Sequence, residues 1–137
     1  MSHDDEMLAR IKSTLPYDGS IDFVRENRCC GRDFNDRKLN DLYLFMNLCR
    51  DPSFAFKNEN LEHLRLKLRD KIQTLLGTIG HHYTRGINRQ ELEFHRYDDK
   101  EYVERVWAKL EGDCDAVFAA YEGGCGLSEI INLPNMN

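Results

Sequence analysis

The stretch DDKEYVERVWAKLEGDCDAVFAAYE, Asp98 to Glu122, decides the fold. Val103, Val106, Trp107, Leu110, Cys114, Val117, Phe118 and Tyr121 recur at steps of three and four, the spacing that gathers side chains on one side of an α-helix. Glu101, Glu104, Glu111, Asp115 and Glu122 share that period on the far side. One face is expected to be core, with Trp107 central on it and buried, and the other a negative rail in solvent. Asp98 reads as the N-cap, with Glu101 completing a capping box, and Gly123-Gly124 as the stop.

Working outward, the same period recurs. A first helix is expected from Ser2 or Asp4, burying Met7, Leu8, Ile11 and Leu15 and stopping before Pro16, whose ring disfavours the helical region for its predecessor. Tyr17 to Ser20 reads as a turn. Ile21 to Gly31 fits a short helix or an extended strip, and is taken as helix. A second firm helix starts near Asn35 as cap, places Leu39, Leu42, Tyr43, Met46 and Cys49 on one side, and ends before Pro52. A third, the longest, starts at Asn58 or Asn60 and runs Leu61, Leu64, Leu68, Ile72, Leu75, Leu76 and Ile79 as a seam to Tyr83, with Gly77 and Gly80 weakening its end by about 1 kcal/mol each. The connector Ile87 to Tyr97, where Leu92 and Phe94 alternate with polar residues, reads as a short helix or an irregular strap. Leu127 to Leu133 adds one turn, and residues 134–137 a loose tail.

No pair of strands stands out and no linker divides the chain. The expectation is an all-α, single-domain antiparallel helical bundle over residues 1–137, with four main helices and short extra turns.

Composition bounds the function. At 137 residues the chain is long enough to bury a core without metal or disulfide. No apolar run approaches the roughly 20 residues of a membrane span, and the N-terminal MSHDDEMLAR carries acids where a signal peptide is basic and then apolar. Five cysteines, an odd number, with Cys49 and Cys114 on apolar stripes, point to free thiols in a reducing, cytoplasmic setting. From Asp98 onward nine acids face three bases, a net of −6 in a chain of −5 overall, so the acidity is local to the last helix. That balance argues against general nucleic-acid binding, although Arg25, Arg28, Arg32, Arg37 and Lys38 form a modest basic cluster.

Chemistry-bearing residues offer two alternatives. Arg89 and His95 enclose five residues, a spacing that resembles the arginine-to-histidine motif of HEPN-type ribonucleases, which are small all-helical bundles. The resemblance covers those two residues, with Gln90 where the family carries Asn, Asp or His. It implies His95 acting on a 2′-hydroxyl and Arg89 steadying the phosphate, both from one long helix. Separately, Cys29 and Cys30 with His81 and His82 supply four zinc-ligand types, but adjacent Cys-Cys and His-His lack the spacing of two to four residues with which a pair clasps one tetrahedral ion. Cys29 and Cys30 also lie between Arg28 and Arg32, where nearby cations favour a thiolate.

The leading expectation is a non-enzymatic protein, needing neither cofactor nor metal, that binds another protein of basic surface in the manner of an inhibitor, immunity protein or adaptor. Its binding face would be Glu101, Glu104, Glu111, Asp115 and Glu122. A homodimer is compatible with this. The ribonuclease and a zinc-supported binding module stand as alternatives.

Overall fold

The computed structural model describes residues 2–87 and 89–122. Among the described residues five helices carry the fold: α1 (His3–Thr14), α2 (Ser20–Arg25), α3 (Asn40–Leu48), α4 (Glu59–His82) and α5 (Lys100–Glu122). Three short strands, β1 (Phe34–Asn35), β2 (Tyr83–Arg85) and β3 (Glu91–Phe94), add a small antiparallel sheet in the order β1-β3-β2. The result is a mainly helical bundle around one contiguous core.

The helix starts follow from local chemistry. Ser2 caps α1, accepting from the Asp5 N–H, while Asp5 reaches back to the Ser2 N–H, so two orphan donors are satisfied at once. Asn58 caps α4 by accepting from the Leu61 N–H. Asn35 is a cap as expected, but of a one-turn 3-10 helix (Asp36–Leu39) that feeds into α3. At α5 the cap is Asp99 instead of Asp98: its Oδ1 accepts from Glu101 N at 2.9 Å and Tyr102 N at 3.3 Å. Gly123-Gly124, the turn at 127–133 and the tail at 134–137 lie outside the described residues.

Helix α4 packs along α5, which also receives α2, while α3 lies against α1 and α4. Leu68, Ile72, Leu75 and Ile79 meet Val106, Leu110, Cys114, Val117 and Tyr121 in the core. The Tyr121 hydroxyl donates to the Leu15 carbonyl at 2.7 Å, tying the end of α5 to the end of α1. The Ser20 N–H donates to Asp41 Oδ2 and the Asp41 N–H to Ser20 Oγ, so α2 and α3 share a start.

Two expectations are corrected. The expected absence of strands fails because the alternation of Leu92 and Phe94 is a strand signal: Leu92 pairs with Phe34 on one side and Arg85 on the other, and Phe94 with Tyr83. Trp107 is not core: it is 43% exposed, whereas Val106 and Leu110 are buried. At about 100° per residue it falls on the flank between the core face and the acids.

Candidate metal centre

After α2 the chain coils through residues 26–31. Asn27 takes a left-handed φ of 55° and Gly31 one of 73°, and the Cys30 N–H donates to the Asn27 carbonyl at 3.1 Å. These reversals keep the loop against α5 instead of letting α2 continue. Tyr83, at the start of β2, holds it from the other side: its hydroxyl donates to the Cys29 carbonyl and accepts from the Gly31 N–H. The Trp107 indole lies directly over Gly31.

Cys29 and Cys30 thereby meet Cys114, presented from the buried face of α5. Cys29 Sγ and Cys114 Sγ are 3.3 Å apart, and all three sulfurs lie within 4.8 Å of one another. Cys29 and Cys114 are fully buried and Cys30 is half-buried, so the cluster opens to solvent at one corner. No disulfide joins them, all three being free thiols.

The electrostatics bind the three together. Hydrogen bonds from Cys114 and then Cys30 draw Cys29 towards the thiolate, against burial. Cys114 is pushed up by its hydrogen bonds to Cys29 and Cys30 and by burial. For Cys30 the hydrogen bond with Cys114 acts downwards, but that with Cys29 together with burial outweighs it and leaves the thiol raised. Arg28 plays no such part, since its Nε is engaged by Glu26 at 2.7 Å.

Soft sulfur donors select thiophilic ions. Zinc–sulfur bonds of about 2.3 Å place tetrahedral sulfurs about 3.8 Å apart, so a small outward movement of Cys29 from Cys114 admits an ion. The structure divides the sequence-derived set of four ligand types. Cys29 and Cys30 belong to a cluster, but His81 and His82 do not: their rings meet edge to face at 4.7 Å, with His81 exposed and His82 engaged by Tyr97, whose hydroxyl is 2.6 Å from His82 Nδ1. Burial holds His82 below the usual histidine range. Among the described residues, Cys114 is the third member, and sequence reasoning spent it on the apolar stripe.

The other sequence-marked residues lie elsewhere. Arg89 sits in the turn between β2 and β3, where its carbonyl accepts from Arg85 Nη1, whereas His95 follows the far end of β3. The strand separates the two, and neither is on a helix, so the pairing that the ribonuclease resemblance implies is not assembled. Glu101, Glu104, Glu111, Asp115 and Glu122 are all exposed along α5. Asp113, by contrast, turns to α4 and accepts from Thr78 Oγ1 at 2.6 Å. In the basic cluster Arg25 and Arg28 are paired with Asp22 and Glu26. Beside the thiols an open groove of about 460 Å³ is lined by Gly31, Phe94, His95, Tyr97, Val103 and Trp107, with Asp33 and Arg96.

Comparison with protein families, curated proteins and solved structures finds no match. Among the described residues no helix is long and apolar enough to cross a membrane.

Proposed function

We propose that this protein is a non-enzymatic binding module that takes up a thiophilic metal ion on Cys29, Cys30 and Cys114. The observation that carries this reading is the convergence of three sulfurs within 4.8 Å from two segments far apart in sequence. An ion there would fasten the loop after α2 to α5, directly beneath the surface formed by Gly31 and Trp107. Zinc is the divalent ion that such a donor set suits, with three protein ligands and one position left open. A reducing, cytoplasmic setting keeps the thiols available.

The test uses reduced, metal-free protein titrated with zinc or with cadmium as a spectroscopic substitute. One ion per chain is expected, with thiolate-to-metal charge-transfer absorption for cadmium and a rise in Tm. At a free ion concentration 100 times Kd the stabilisation is about 2.7 kcal/mol. Cys114→Ser should abolish the absorption. An unchanged Tm with no thiolate absorption for either ion would remove the reading.

A second reading rests on the exposure of all five acids of the α5 rail. It makes that face the docking surface for another protein of basic surface, as an inhibitor, immunity protein or adaptor would present.

A further inference from the structure

Three features of the thiol cluster bear on which ion it selects. First, the donor set stops at three: among the described residues no histidine, carboxylate or further cysteine joins Cys29, Cys30 and Cys114. Second, Cys29 and Cys114 are fully buried, where net charge is costly unless it is paired. Third, Cys114 is flanked in sequence by Asp113 and Asp115, so the residues on either side of it bring no positive charge to offset an anionic complex.

These constraints rank the thiophilic ions by charge and coordination. Three thiolates leave monovalent copper with two net negative charges and zinc with one, and zinc also asks for a fourth ligand. Trivalent arsenic satisfies the site differently. Its complex with three thiolates is neutral, and its lone pair occupies the fourth position, so the site needs neither a water nor a counter-cation.

We infer that Cys29, Cys30 and Cys114 form a site for trivalent arsenic, taken up as arsenous acid, in preference to zinc. The inference rests on the reading of the trio as an ion site. The exchange is balanced without an oxidant. As(OH)₃ reacts with three S–H groups, three As–S bonds replace three As–O bonds, and each thiol proton leaves with a hydroxide as water. Arsenic stays trivalent throughout. Cys30, half-buried, is the point of entry, and Cys29 and Cys114 complete the set from within.

The experiment titrates reduced full-length protein with sodium arsenite, with zinc chloride, and with both together. It reads arsenic–thiolate absorption and the thiols left to a thiol-specific reagent. One arsenic per chain is expected, with three of the five thiols protected, and an equal concentration of zinc should leave the arsenic in place. Cys30→Ser, with its fold checked by far-UV circular dichroism, should weaken arsenite binding about 100-fold or more, since losing a ligand costs more than the roughly 10–100-fold that losing a ligand's supporting partner does. Cys49→Ser should leave it unchanged. Displacement of arsenic by equimolar zinc would overturn the inference while leaving the ion site standing. Failure of arsenite, zinc and cadmium alike would remove both. Protection of a thiol set that includes Cys49 would also overturn it.

Discussion

Gly31 has a φ of 73° and carries the Trp107 indole over its α-carbon. A methyl group there would meet the indole while forcing an L side chain into the left-handed region. Gly31→Ala should therefore destabilise the fold by about 1–3 kcal/mol, read from urea unfolding. Trp107 is the single tryptophan of the chain and 43% exposed, so native emission should be that of a half-solvated indole, and the substitution should shift it as the loop lifts. A neutral Gly31→Ala with unchanged emission would show that the loop is not clamped there. The same clamp sets the position of Cys29 and Cys30, so backbone geometry at one glycine and the assembly of the thiol site are one feature.

Helix α4 runs unbroken through Gly77 and Gly80 to His82. The space where a side chain would stand is open at both positions, nothing lying within 4 Å. The glycines consequently cost helix stability without serving packing, and tertiary contacts from Leu75, Ile79 and Tyr83 hold the last turns. Gly77→Ala and Gly80→Ala should each stabilise the protein by about 0.4–1 kcal/mol, measured by thermal unfolding. A loss of stability in either would mean that the glycine meets a neighbour. The sheet is an element of the opposite kind. Its strands have two to four residues, too short to stand alone, and exist because Phe34, Tyr83 and Leu92 bury one face in the core.

At the scale of the molecule the charge is unevenly spread, with the five acids of the α5 rail in solvent and Arg25 and Arg28 of the basic cluster paired with Asp22 and Glu26. Reversing Glu104, Glu111 and Asp115 together to Lys should leave the fold nearly intact, because exposed substitutions away from special features usually cost within about 0.5 kcal/mol each. If the rail docks a basic protein, the reversal should abolish association. The wild-type rate should also fall steeply with salt, since exposed charges are screened beyond about 10 Å at 0.1 M. Unchanged affinity in the triple variant would make the rail a solvated surface only.

The period of three and four in Asp98 to Glu122 and in Asn58 to Tyr83 was enough to determine the long helices and the centre of each buried face, because burial of an apolar stripe is a one-dimensional pattern. The helix starts were legible to within a residue or two, with Ser2 and Asn58 each one of two candidates and the cap of α5 one residue later than Asp98, because capping is local hydrogen-bond chemistry. Trp107 was misplaced because periodicity gives a direction on the helix but not the width of the face its neighbours cover. The strands escaped notice because two to four residues carry too little pattern until partners from three segments meet. The thiol site was out of reach for the same reason at longer range. Cys29 and Cys114 are 85 residues apart, Cys114 reads alone as a small hydrophobe, and only the docking of the loop after α2 onto α5 brings their sulfurs together with that of Cys30.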